Sequence, residues 1–197
     1  MNTRHRSAFL LFSLLVPAGC VSRRASPAQA DGVQSAVDRR ALADTVVGQW
    51  SNVSSLAARR MIEEYGVPDE VHYGRIVWNN NGPWKRTVVR DIRPAYVEGD
   101  ELGVVEQAVE YTLAPVQEKA LTPFAKKASY NARTGELASK SDREELNFLT
   151  LNLIDDVAKG VQAPAQARDS YVRLQSLEEA GKSSDYLTGL RFKRPAP

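Results

Sequence analysis

Between residue 33 and Gly66, apolar residues recur at the spacing of an α-helix, about every 3.6 positions. Beyond Gly66 the spacing changes to every second position. Residues 33–50 show this pattern loosely and predict helical structure; whether it continues into the next helix with a break at Gly48 or forms a separate helix is left open by the pattern. A stronger helix is predicted to start with Ser51 or Ser54 as its N-cap. It stops at Gly66, because glycine readily adopts the left-handed conformation that ends helices.

The middle of the chain alternates apolar and polar residues at every second position, which predicts strands. Two strands, 71–78 and 84–92, flank the turn-forming stretch 79–83, Asn-Asn-Asn-Gly-Pro, and together predict a hairpin. A further strand is expected within 104–113. A smaller hairpin is expected within 128–138, turning at Arg-Thr-Gly.

Helical spacing returns in the last third of the chain. Ser141 and Glu144 match the Ser-x-x-Glu capping box and predict the start of a leucine-rich helix that Gly160 ends. Another helix is predicted from Pro164, and the tail 186–192 suggests an edge strand. Helices on both sides of an antiparallel sheet make the predicted fold class α+β, a single domain over 35–197.

The N-terminus has the three parts of a secretory signal. Arg4 and Arg6 precede an apolar run over 8–16, and the small residues Ala18 and Gly19 stand just before Cys20. The run is much shorter than the ~20 residues that span a bilayer. Residues 1–19 are therefore predicted to be a signal peptide and 20–34, rich in Ser, Ala and Arg, a flexible tether.

This segment resembles the bacterial lipoprotein signal, in which the cysteine thiol is acylated and becomes the new N-terminus. The resemblance implies that Cys20 is the lipid-attachment residue and that the protein is held in the cell envelope. Because Val21 and Ser22 include no Asp, it also implies the outer membrane in a cell with two membranes. Pro17 stands where the lipoprotein pattern favours Leu.

A competing cleavage site follows Ala30, where Ala-Gln-Ala suits ordinary signal cleavage. Cutting there would discard Cys20 and release a soluble protein that begins at Asp31. The long distance from the apolar run and the intervening arginines favour lipidation at Cys20.

The balance of charges argues against nucleic acid as a partner. The chain has 26 Lys and Arg against 24 Asp and Glu, and two of the basic residues, Arg4 and Arg6, precede Cys20. The part from Cys20 onward is therefore balanced, with no net basic field to collect nucleic acid. The expected partners are the membrane, through Cys20, and an envelope protein or cell-wall component.

Residues 51–90 contain a predicted helix, then Gly-Val-Pro, then a hairpin that bears tryptophan. This order resembles that in small outer-membrane lipoproteins of the barrel-assembly machinery and in β-lactamase-inhibitor-like domains. The resemblance implies a binding module and identifies no functional residue.

The most distinctive local cluster consists of Trp84, Lys85, Arg86 and Arg90. Trp and Arg are enriched where proteins bind partners, so an exposed face with these residues is a candidate binding surface. The other interpretation is that Trp84 packs under a helix while the basic residues pair with glutamates of the next strand.

His72 is the one histidine beyond the signal, and with Asp69 or Glu70 it forms a candidate acid–base pair. The alternative is a half-exposed strand residue. No metal site or cofactor is predicted, because one His without a cysteine partner does not suit zinc and no phosphate-binding or dinucleotide motif occurs.

The sequence thus favours an envelope lipoprotein whose domain is a non-catalytic binding or structural module. The alternative is a small periplasmic or extracellular enzyme that uses His72 with a nearby carboxylate.

Overall fold

The structure is a computed structural model that describes residues 27–93 and 103–193. The predicted signal peptide and Cys20 lie outside the described residues. Its helices are α1 (Pro27–Val47), α2 (Asn52–Tyr65), α3 (Glu144–Ala158), α4 (Pro164–Glu179) and α5 (Asp185–Thr188), with a 3-10 segment at Pro115–Phe124. Its strands are β1 (Glu70–His72), β2 (Arg75–Asn81), β3 (Trp84–Arg90), β4 (Val105–Glu110), β5 (Ala128–Asn131) and β6 (Glu136–Ser141). The predicted α+β class is confirmed.

The strands form one sheet in the order β1-β2-β3-β4-β6-β5, and every neighbouring pair is antiparallel. Both predicted hairpins are present. In the first, Asn80 and Gly82 take positive φ values of +52° and +54°. A Cβ atom on Gly82 would also lie 2.9 Å from Cε1 of Tyr65, so glycine is needed there for conformation and for space.

One face of the sheet packs against the helices. Strand alternation and register place Thr87, Val89, Val105, Gln107 and Leu137 on this face, and all five are buried. The α2 end of the interface holds an apolar cluster that includes Ile62, Ile76 and Trp78, and the α3 end holds a cluster that includes Trp84, Leu149 and Ile154. Burial of apolar surface between this face and the helices stabilises the fold.

Helix α3 is the central element, since twelve of its fifteen residues are buried. Its two asparagines, unusual in a helix, bind other parts of the chain. Asn147 donates to the carbonyl of Val105 in β4. Asn152 donates to the carbonyls of Tyr186 and Gly189 and accepts from the backbone N–H of Arg191, which fixes the C-terminal segment against α3.

Ser51 is the N-cap of α2, as predicted, but the predicted cap of α3 is wrong. Ser141 belongs to β6 and pairs with Val105, and α3 begins only at Glu144 with Arg143 as its N-cap residue. The Ser141 hydroxyl donates to the carbonyl of Arg143 instead of accepting from the helix. A strand register that continues through Ser141 overrides the local capping preference.

Three other elements also differ from the prediction. The strand expected at 71–78 is divided into β1 and β2 by a turn at 73–74. The tail forms the short helix α5 rather than an edge strand, because Asn152 binds its backbone carbonyls. Helix α1 begins at Pro27, inside the predicted tether, where a proline followed by Ala-Gln-Ala suits a helix start.

None of the helices in the described ranges 27–93 and 103–193 is both long enough and apolar enough to cross a membrane.

Candidate functional site

Trp84 lies in the core, as the packed interpretation of the cluster requires, so this side chain does not form part of an exposed face. Its side chain is fully buried, and its ring stacks on Phe148 of α3 with centroids 4.7 Å apart. The indole Nε1 donates to Oε1 of Glu144 at 2.5 Å. Trp84 therefore holds the hairpin against α3 and is not available to a partner.

The basic residues of the hairpin pair with glutamates on neighbouring strands. Arg90 Nη1 lies 3.0 Å and Arg86 Nη1 3.4 Å from the carboxylate of Glu106 in β4. Lys85 Nζ lies 3.5 Å from Glu110 of β4 and 3.6 Å from Glu136 of β6. These contacts match the packed interpretation of the cluster, in which its positive charge is compensated within the sheet.

Glu144, which the sequence suggested only as part of a cap, accepts three side-chain hydrogen bonds on one oxygen. Besides Trp84, the donors are the hydroxyl of Tyr65 at 2.6 Å and the amide Nε2 of Gln107 at 2.5 Å. Burial, followed by the hydrogen bond to this carboxylate, raises the pKa of Tyr65 well above its usual range. The carboxylate also lies at the first residue of α3, where the helix dipole favours negative charge.

The Glu144 network extends through the interface between sheet and helix. Gln107 Oε1 accepts from Asn147 Nδ2 at 2.9 Å, while Thr87 Oγ1 accepts from Asn81 Nδ2 at 3.0 Å and lies 3.5 Å from Gln107 Nε2. The buried Oδ1 atoms of Asn81 and Asn147 have no partner within the structure described. The network links α2, three strands and α3, and the side chains that bond Glu144 and Asn147 come from distant parts of the sequence.

His72 and Glu70 do approach each other. His72 Nε2 lies 3.1 Å from Oε2 of Glu70, and the two side chains are 51% and 49% exposed on the outer strand β1. Asp69 instead accepts from the backbone N–H of Asn79 at 2.7 Å. The structure therefore brings two of the three candidate catalytic residues together, on an open surface rather than in a cleft.

A pocket of about 670 Å³ lies beside α4, between that helix, β6, the start of α3 and the 3-10 segment. We call it the α4 pocket. The buried side chains of Phe124, Leu146 and Tyr171 line it, and the exposed Val172 lies on its α4 side. Its lining also includes four basic residues, Lys127, Lys140, Arg143 and Arg168, and two acidic ones, Asp142 and Glu179.

A second pocket of about 470 Å³, the α2 pocket, lies next to α2. Asp142 and Arg143 line both pockets, so the segment before α3 separates them. Five acidic residues line the α2 pocket, Glu63, Glu64, Asp142, Glu144 and Glu145, against the basic Arg60 and Arg143. The two pockets therefore have opposite charge balance on either side of a shared wall.

Sequence reasoning missed both pockets because their residues come from distant parts of the chain and match no motif. Phe124, Lys140 and Arg168 of the α4 pocket each belong to a different element. Within the described part of the chain, no three His, Cys, Asp or Glu side chains are grouped so that they could hold a metal ion.

Comparisons with models of known protein families, with curated proteins and with solved structures found no match to this chain.

Proposed function

We propose that this chain is an envelope lipoprotein, anchored through acylated Cys20, whose α+β domain is a non-catalytic module that binds an envelope protein or cell-wall component. The signal-like N-terminus ending at Cys20 supports the anchor, and the residues that follow it favour the outer membrane. Two or three acyl chains make such an anchor durable, because a single chain holds a protein only marginally.

The α4 pocket is the observation that carries the binding role. Its volume of about 670 Å³ falls within the range of about 300–1,000 Å³ typical of ligand sites. Buried aromatic and aliphatic side chains supply apolar contact, and charged groups nearby supply orientation. This pocket replaces the Trp84 cluster as the candidate binding surface.

The anchor is tested by the mass and lipid content of the N-terminus. We expect the mature protein to begin at Cys20, with a mass that includes acyl chains. After growth with a labelled fatty acid, the wild type should carry label and Cys20→Ser should carry none, because serine has no thiol to acylate. Ser22→Ala, two residues away, should keep the label. A native polypeptide that starts at Asp31 would refute the anchor.

The binding role is tested by filling the α4 pocket. Val172 is 60% exposed on α4, so Val172→Trp should project a large ring into the opening with little effect on folding. We expect this variant to lose at least about 90% of the envelope component that the wild type retains, a loss of about 1.4 kcal/mol in binding. The measurement is quantitative co-purification from solubilised envelopes.

Val161→Trp is the matched control, since Val161 is 69% exposed and lies outside the α4 pocket. It should retain the bound component at the wild-type level. Equal retention by Val172→Trp would show that the pocket has no part in binding.

The second candidate function is a small envelope enzyme. The contact between His72 and Glu70 favours it, since a carboxylate beside an imidazole can orient the ring for proton transfer. This candidate function requires that the protein turn over a substrate and that His72→Ala eliminate that activity.

A further inference from the structure

The α4 pocket has an excess of positive charge in its lining, four basic residues against two acidic ones. The fold uses part of that charge. Arg143 binds Asp142 at 2.8 Å and Glu178 at 2.9 Å, which compensates its guanidinium. Glu179, the other carboxylate of the lining, accepts from the neutral Gln175 at 3.2 Å.

Arg168 is an exposed residue on α4, and its side chain makes no hydrogen bond or ion pair with any residue in 27–93 or 103–193. A guanidinium presents its donors in a fixed planar fork that matches a carboxylate or a phosphate. Arg168 can therefore turn toward a ligand in the pocket without breaking a hydrogen bond or an ion pair to the residues that the structure describes.

Lys127 supplies a second charge at a defined place. Its Nζ donates to the hydroxyl of Tyr171 at 2.8 Å and lies 4.4 Å from the centre of that ring. Tyr171 is buried and packs on Phe124, with ring centroids 5.8 Å apart. An ammonium held over an aromatic wall places charge and apolar surface side by side.

We infer that the α4 pocket binds the anionic group, a carboxylate or a phosphate, of a ligand whose apolar part packs on Phe124 and Tyr171. Arg168 and Lys127 contact the anion. This inference rests on the proposed binding role of the pocket and names the chemical class of its ligand.

The test uses the mature chain from residue 20 with Cys20→Ser, labelled with ¹⁵N, and three probes that share a phenyl ring. Benzoate carries a carboxylate, phenyl phosphate a phosphate, and benzamide has no charge. We expect benzoate or phenyl phosphate to shift the amide resonances of Tyr171 and Val172 saturably. Benzamide should bind at least about tenfold more weakly. The tighter of the two anions identifies the group that the site prefers.

Arg168→Gln should raise the Kd of the anionic probe by about fivefold, and Arg168→Gln with Lys127→Gln by at least about tenfold. The matched control is Arg133→Gln with Lys182→Gln, which removes the same charge at exposed positions outside the pocket and should leave the Kd unchanged. Because Lys127 contacts the core residue Tyr171, the single change at Arg168 decides the result if the double variant misfolds.

Three results would overturn the inference: neither anion binds, benzamide binds as tightly as the anions, or Arg168→Gln and the control pair change the Kd equally. The proposed function fails separately, if Val172→Trp keeps the envelope component. If Val172→Trp abolishes retention of the envelope component but the pocket shows no preference for the anionic probes, only the inferred ligand class is refuted.

Discussion

Trp84→Ala is expected to lower the free energy of unfolding by about 3–5 kcal/mol, as removal of a buried tryptophan typically does. The side chain is 0% exposed, so alanine leaves a cavity beneath Phe148 and removes a donor to Glu144. Chemical denaturation with urea, followed by circular dichroism, measures the change. The interpretation of Trp84 as an exposed binding residue predicts instead that this variant keeps its stability.

Two further variants separate the causes. Trp84→Phe keeps an aromatic ring against Phe148 but loses the N–H donor, so we expect a smaller loss of about 1–3 kcal/mol. Tyr73→Ala removes an aromatic side chain that is 78% exposed and should change the unfolding free energy by no more than about 0.5 kcal/mol. If Trp84→Ala resembled Tyr73→Ala, the buried position of Trp84 would be wrong.

Glu144→Ala should destabilise the domain by about 2–4 kcal/mol, because each buried donor left without an acceptor costs about 1–3 kcal/mol and partial rearrangement recovers some of the loss. Three donors, from Tyr65, Trp84 and Gln107, lose their common acceptor. Glu144→Gln keeps one accepting oxygen and should lose less. The same urea denaturation gives both values.

The adjacent Glu145 is the control, since its side chain is exposed on the same first turn of α3. Glu145→Ala keeps the net charge change of Glu144→Ala but removes no buried acceptor, so its effect should stay within about 0.5 kcal/mol. Equal effects of the two alanine variants would mean that the negative charge at the helix start, rather than the hydrogen bonds, provides the stabilisation.

The sequence predicted the parts of the fold that local chemistry specifies. The turns at Asn80–Gly82 and at Gly135 need residues that tolerate positive φ, and those residues mark both hairpins. The apolar spacing of α3 predicted its burial. Ser51 was a correct N-cap because its partner, Ser54, is only three residues away.

Long-range contacts decided the rest. Ser141 has the local chemistry of a cap, but its pairing with Val105 extends β6 through it. The pattern around Trp84 allowed either an exposed or a packed residue, and its acceptor Glu144 lies sixty positions later. No local signal joins Arg168 to Phe124 and Lys127, which it meets only because α4 packs beside the 3-10 segment. A candidate site assembled in this way is visible only once the topology is known.

The sheet order has a consequence for how molecules of this protein behave when crowded. The two outermost strands, β1 and β5, have three and four residues, whereas every inner strand has six or seven. A rim this short offers few unsatisfied amide groups onto which a neighbouring copy could add its own strand. We therefore expect that copies of this protein at high concentration have little tendency to join their sheets edge to edge into fibrils.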